Sequence, residues 1–353
     1  MLAALALLSA GCSYRHYRPG RVALDGVAGL DRRWTGLAIS RQERIFVCFP
    51  RWSDDIPFSV GELMPGGAIV RFPDEEWNRW QSDLDPRRHF ICVQSVWIDS
   101  DNMLWILDAA NPRFEGVVED GAKLLKVDLI QNKVVQNISF APPVITAQSY
   151  LNDVRVDVPR QTAYITDSGR GALLVVDLRR ERTRRLLDGH PATQSEDVAV
   201  VIGGREWRRP DGSRPQVHAD GLALSPDGKF LYWQALTGRT LYRIPTRWLR
   251  SEWLTPEELG GYVQKVVEWG VADGMAFDRE GRLFLTSLED NAIKVLTPRK
   301  RANRVETLVQ DDRLRWPDSL AIAGDGTVCV TTSQIHLGPF PDTPFEILRL
   351  VPR

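Results

Sequence analysis

An all-β chain folded as a six-bladed β-propeller is what this sequence predicts, on three observations. One hairpin-like phrase recurs six times in 353 residues. Further strand-like pieces follow the copies, enough for a four-stranded sheet each. Helix signals gather in a single stretch, residues 245–261.

The copies are TGLAISRQERIFVCF from Thr35, QSVWIDSDNMLWILD from Gln94, NDVRVDVPRQTAYITD from Asn152, DGLALSPDGKFLYWQ from Asp220, DGMAFDREGRLFLTS from Asp273 and DSLAIAGDGTVCVTT from Asp318. With Gly36, Ser95, Asp153, Gly221, Gly274 and Ser319 as markers, the steps are 59, 58, 68, 53 and 45 residues. In each copy a short alternating run meets a polar turn and then a second apolar run, the pattern of a β-hairpin. Third-strand pieces follow as KLLKVDLI, ALLVVDLR and TLYRIPT. Sheets this small cannot bury both faces alone, so they stack around an axis. RVALDGVAG, ahead of the first copy, is offered as a strand that pairs with the C-terminal FEILRLVPR and leaves no free edge. In PTRWLRSEWLTPEELGG, Thr255 and Glu258 around Pro256 make a capping box. The propeller is therefore assigned to residues 34–353 and the ring-closing segment to 13–33.

Residues 1–12 are set outside the fold. MLAALALLSAGC is apolar, too short to span a bilayer, and ends in small residues, as a secretory signal does. LLSAGC resembles the bacterial lipobox, which implies a lipid on Cys12, a membrane attachment through it, and an extracytoplasmic lipoprotein. The other cysteines, Cys48, Cys92 and Cys329, are odd in number and lie in or beside apolar runs, so buried free thiols are expected. Charge is balanced, 45 Lys plus Arg against 46 Asp plus Glu, which argues against a nucleic-acid footprint. No obligate protein partner is inferred.

Hairpin geometry sorts the polar residues by face. The residue leading into the first strand and the one trailing the second lie at one end, and the turn lies at the other. The leading residues are Gln94, Asn152, Asp153, Asp220, Asp273 and Asp318; the trailing ones are Asp108, Asn111, Asp167, Ser168, Asn291, Ser333, Gln334 and His336. If the first strand of each blade is innermost, the leading carboxylates and amides crowd one mouth of the central channel. Strands alternate faces, so only one of Asn152 and Asp153 is expected inward. Crowded carboxylates must share protons or hold a cation. Oxygen ligands suit Ca²⁺ or another divalent cation; no other cofactor is expected. An Asp or Asn before a strand also caps turns through its own backbone with no ligand present.

Other chemistry is weakly represented. No G-x-S-x-G elbow occurs, the five His lack metal-like spacing, and Gly66, Gly67 and Gly116 precede no helix that would make a phosphate cradle. Trp34, Trp97, Trp105, Trp233, Trp269 and Trp316 accompany the repeats and are expected between blades. Phe49, Trp52 and Phe340 are candidates for an aromatic wall at the mouth, suited to a flat or cationic ligand.

RIFVCFPRW, VQSVWIDSDNMLWILDAA, YLNDVRVDVPRQTAYITDSG, DGLALSPDGKFLYWQALTGRTLYRIPT, ADGMAFDREGRLFLTSLEDNAI and QDDRLRWPDSLAIAGDGTVCVTTSQIH together resemble the yellow and major royal jelly protein family, in order from about Trp34 to His336. The resemblance implies a six-bladed propeller that binds a small aromatic or amine-like molecule at the channel mouth, or converts a dopachrome-like quinone by proton transfer. By position it implies ligand contacts at Ser319 and Gln334, where amine-binding relatives carry Thr and Asn, and at His336, where they carry an aromatic. Gln94, Asn152, Asp153, Asn291 and Asp318 complete the candidate binding set, and Asp220, Asp273 and His336 are the candidate proton-transfer groups. The chain is also similar, more distantly, to gluconolactonase and SMP-30-like propellers, which implies as the alternative a metal-dependent lactonase with Asn152, Asp220 and Asp273 as its metal ligands; where those carry a Glu before blade one, this chain reads DRRWTG.

Overall fold

The computed structural model describes residues 14–298, 303–339 and 341–353. Cys12, the expected lipid site, and Phe340, a candidate for the aromatic wall, lie outside them. Within the described residues there are six four-stranded antiparallel sheets and one two-stranded ribbon. The innermost strands are Leu37–Ile39, Val93–Ile98, Leu151–Asp157, Ala219–Leu224, Met275–Phe277 and Pro317–Ile322. Each begins or ends a run of three neighbours that follow it in the chain, except in blade six. There the outermost strand is Val22–Leu30, paired from Val22 with Pro352 to Leu30 with Phe345. Joining the two ends of the chain in one sheet removes the free edge at which a ring of blades would otherwise part.

The blades cohere because the second strand of each buries both faces. In blade one Val47 packs against blade six, while Phe46 and Cys48 pack against blade two. In blade four Leu231 and Trp233 face blade three and Tyr232 faces blade five. Leu283 and Leu285 face back to blade four and Phe284 on to blade six. A period of two thus sends alternate side chains into the two flanking cores, and a one-residue slip would exchange them. One apolar cluster fills each of the six blade interfaces.

A polar clasp ties neighbours near the axis. Thr166 Oγ1 accepts from Asp153 N at 3.1 Å and donates to Asp220 O of the next blade at 2.6 Å. Thr331 Oγ1 does the same between Ser319 N and Thr35 O, at 3.1 and 2.7 Å. In blade one the equivalent is Cys48, whose Sγ accepts from Gly36 N and donates to Gln94 O, both at 3.2 Å. Buried backbone groups are thereby satisfied where the inner strands leave their ladders. Two blades also need glycine here: a Cβ on Gly221 or Gly274 would sit 2.2 Å from the carbonyl oxygen of Asp273 or Asp318 in the next blade.

Two insertions break the repeat. Residues 246–260 form the short helices Thr246–Arg250 and Pro256–Gly260, the second with the Thr255–Glu258 capping box formed in both directions. The longest step, between blades three and four, contains the ribbon Val201–Ile202 and Arg205–Glu206, followed by Trp207. Val200, Ile202, Leu236, Val271, Leu288 and Trp316 form a small core under it. No helix among the described residues is long and apolar enough to cross a membrane. Cys48, Cys92 and Cys329 are free and buried, and burial pushes each thiol up to about 12.

Candidate functional site

The inner strands aim their leading residues with a repeated distortion. Pairing to the second strand slips between Val93 and Ser95, Leu151 and Val154, Ala219 and Leu222, and Pro317 and Leu320. A bulge at this position turns a side chain out of the alternation and towards the axis. In blade three it changes the expected outcome. Asn152 Nδ2 donates to Asp220 Oδ2 at 2.9 Å and to Ser168 Oγ at 3.1 Å, while Asp153 Oδ1 accepts from Ser95 Oγ at 3.0 Å and Asp153 Oδ2 from Leu222 N at 3.2 Å. Both therefore reach groups of other blades, because the extra residue frees them from strict alternation.

Asp220, Asp273 and Asp318, from three consecutive blades, are all buried. Burial first, then the charges of Asp273, Asp318 and Asp153, push the Asp220 carboxyl well above the usual carboxylate range. Asp273 is likewise raised well above it, by burial and then by Asp318, although an indole N–H from Trp316 at 2.6 Å opposes the rise. Asp318 is pushed up to about 6 by burial, against the hydroxyls of Ser333 and Ser319. Ser319 Oγ donates to Asp318 Oδ1 at 3.1 Å, whereas Ser333 Oγ lies nearby without a well-formed bond. Like charges held together in a low dielectric cannot all ionise, so the three share protons near neutrality.

One cation lies beneath them. Arg155 is buried in the middle of the blade-three inner strand, with Nη1 on Asp153 Oδ1 at 2.6 Å and Nη2 on Met275 O of blade five at 2.9 Å. Its guanidinium carbon stands 4.5 Å from the Trp97 ring centre, so it spans and stops the channel. Arg155 is committed to Asp153; of the upper three carboxyls only Asp318 feels another cation, the half-buried Arg33, and no ion pair among the described residues joins any of the three to a basic side chain. Sequence reasoning missed it; the signal was a charged residue in an innermost strand that should be apolar.

An aromatic rim covers the carboxyls. Trp316, buried and at a positive φ of 54°, is overlaid by His336 at 5.8 Å and met edge-on by Trp207 at 4.7 Å. Burial, then Arg315 and Arg33, lowers the His336 pKa, so the ring is neutral at pH 7, and its Nδ1 is buried without a partner. Across the mouth Trp52 stacks on Phe114 and donates to Tyr150 Oη at 2.6 Å, and Tyr150 donates to Gln94 Oε1 at 2.9 Å. Arg33 lies over Trp52 and donates to Ser333 O at 2.7 Å.

Three expected contributors are not joined to the carboxyls, and of them Asn291 keeps its Oδ1 buried without a partner. Gln334 spends its amide on Thr343 and Pro344, holding its loop. Asn291 lies in the turn between the second and third strands of blade five, and no hydrogen bond among the described residues joins it to the carboxyls. Phe49 is in the core between blades six and one. Among the described residues no three His, Cys, Asp or Glu side chains are arranged to hold a metal ion. The donors also fit a divalent cation poorly: Asn152 presents its N–H to Asp220, and Asp273 Oδ2 is taken by the Trp316 indole. A cavity of about 190 Å³ opens at the opposite, turn end of the channel among Leu37, Trp97, Phe277 and Ile322, and none of the three carboxyls lines it.

Solved structures of similar fold include a gluconolactonase of Xanthomonas campestris, 13% identical, with a TM-score of 0.57 over 97% of this chain and 94% of that one. A luciferin-regenerating enzyme superposes with a TM-score of 0.55 at 12% identity, over 94% of this chain and 95% of that one. At these identities they speak for the fold alone. Major royal jelly protein 7 of Apis mellifera is 23% identical over 270 residues, 71% of this chain. The match spans 57% of that relative's length. Residues 91–337, from the second blade through the sixth, match the major royal jelly protein family. The chain belongs to that family.

Proposed function

We propose that the channel mouth binds a small aromatic amine in its protonated form. The observation that carries this is the charge balance: Asp220, Asp273 and Asp318 are buried together, Arg155 is already paired with Asp153, and the half-buried Arg33 acts on Asp318 alone without forming an ion pair with it. An ammonium group among the three carboxyls supplies the missing charge and is shielded from water there. The indoles of Trp316 and Trp207, and Trp52 with Phe114 opposite, supply faces against which an aromatic ring can lie. Gln94, Asn152 and Ser319 offer polar groups to fix its orientation.

A second reading has one specific support. A carboxyl raised to about 6, as at Asp318, suits proton transfer near neutral pH, so Asp220, Asp273 or His336 acting on a bound quinone-like ring is the catalytic form of the same site. A lactonase using Ca²⁺ at Asn152, Asp220 and Asp273 is the third, and the hydrogen bonds of Asn152 to Asp220 and of Trp316 to Asp273 count against it. We further propose that the mature chain is held outside the cytoplasm by a lipid on Cys12.

The test is tryptophan fluorescence of the protein titrated with tyramine, with 3-(4-hydroxyphenyl)propionate and with Ca²⁺. Saturable quenching by tyramine alone, lost in Asp273→Asn, is expected. Equal response to the acid would overturn the amine reading, and a response to Ca²⁺ alone would favour the lactonase.

A further inference from the structure

The face of the disc opposite the carboxyl mouth carries the two most exposed large apolar side chains of the described residues. Ile130 is 94% exposed and Trp253 is 92% exposed. Ile130 tips the turn between the third and fourth strands of blade two, where Asp128 Oδ1 accepts from its backbone N–H at 2.7 Å and fixes it outward. Trp253 lies between the two short helices of blade four. Those helices follow the third strand at the turn end, since Thr246 donates to Gly228 O at 2.6 Å and Gly228 is in the turn joining the first two strands. The same insertion carries Arg247, which lies over the ring of Trp248 at 4.7 Å.

The first described residues lie on this same face, at blade six. Arg15 N donates to Asp325 O at 2.8 Å and Arg15 Nε pairs with the Asp325 carboxylate at 3.2 Å, in the turn between the first two strands of that blade. Tyr14 packs against the same turn, under Arg279 of blade five. Only Ser13 separates Tyr14 from Cys12 in the chain.

From this placement we propose that the turn face lies against the membrane surface, touching it at alternate blades two, four and six through Ile130, Trp253 and the N-terminal tether, and that the carboxyl mouth points away from it. Three points spaced around a disc define a plane, which one lipid chain alone does not. Trp and Arg suit the headgroup region, where an indole keeps one end wet and a guanidinium meets anionic lipid. A single acyl tether holds weakly and leaves the body free to tumble, so added interfacial contacts also strengthen attachment. The inference rests on the lipid at Cys12. The apolar side chains exposed on the mouth face, Phe114, Val201 and Leu337, are less exposed and surround the ligand site.

The experiment uses the full chain, processed in a bacterial host and reconstituted into phosphatidylethanolamine and phosphatidylglycerol vesicles. Bimane is attached in turn to Trp253→Cys, Ile130→Cys and Val201→Cys; Cys48, Cys92 and Cys329 are buried and stay unlabelled. Brominated phosphatidylglycerol is expected to quench most of the signal at positions 253 and 130 and none at 201. Mass spectrometry of the N-terminal peptide of the same sample reports the lipid on Cys12. An acylated protein with unquenched labels at 253 and 130, or with quenching at 201, overturns the orientation while leaving the anchor standing. A peptide without the acyl mass removes the anchor and the orientation with it.

Discussion

Asp108 and Asp220 lie on the same face of the disc, one strand apart within their blades, and meet opposite surroundings. Asp108 accepts from the backbone N–H groups of Ile91, Cys92 and Ala110 and from Lys123 Nζ at 2.8 Å, with both partners of the ion pair fully buried. Asp167 in blade three repeats this with Tyr150 N, Gly169 N, Arg170 N and Arg185. Asp220 accepts one amide N–H, from Asn152, and faces other carboxyls. The trailing aspartates therefore hold loops to blades, and the leading ones are held in place by the fold at a cost to it. Residue type and face are the same; the number of donors aimed at the oxygens decides which is structural and which is free to serve a ligand.

Removing charge from the two circles should accordingly act in opposite directions. Asp108→Asn leaves Lys123 buried without a counter-charge and is expected to cost about 3–5 kcal/mol in urea unfolding. Asp318→Asn is expected to stabilise the protein at pH 8 by about 3 kcal/mol, since a shift of one pKa unit is worth about 1.4 kcal/mol and the carboxyl rises from 3.8 to about 6. The sign follows from proton linkage. A carboxyl raised to about 6 in the fold stabilises fully below about pH 4, and that contribution is lost as pH rises through about 6. Unfolding free energy of the parent should thus fall over that window, and fall less steeply in the variant, where Asp220 and Asp273 still contribute; identical slopes in both would show that Asp318 is not a source.

Smaller effects test the clasp that holds the leading residues. Thr166→Val strips the partners of Asp153 N and Asp220 O and should cost about 1–3 kcal/mol. Cys48→Thr keeps both bonds of that position and should change stability by less than about 1 kcal/mol. If the clasp is irrelevant, the two substitutions will be indistinguishable in the same unfolding assay.

The blades were legible because a hairpin writes itself locally: alternating apolar residues, a turn, then apolar residues again. Six spaced copies then imply an axis. The convergence of Asp220, Asp273 and Asp318 followed from hairpin geometry alone. What was not legible depends on departures from that regularity. The bulge that frees both Asn152 and Asp153 has no local signature in NDVRVD. Asp108 and Asp167 could be placed on the mouth face but not recognised as structural, because their donors come from loops and from Lys123 and Arg185, whose positions only the packed blades define. The cover of Trp207 and Trp316 depends on an insertion visible beforehand only as the longest step between copies.

The most direct measurement is proton exchange on binding, by titration calorimetry of tyramine at pH 6.5 in buffers of different ionisation enthalpy. A cation entering among Asp220, Asp273 and Asp318 lowers their pKa values, so protons should pass to the buffer, and fewer should be released per tyramine bound by Asp318→Asn, which keeps Asp220 and Asp273. Binding with no proton exchange, or with the same exchange in that variant, would contradict a site built on shared protons.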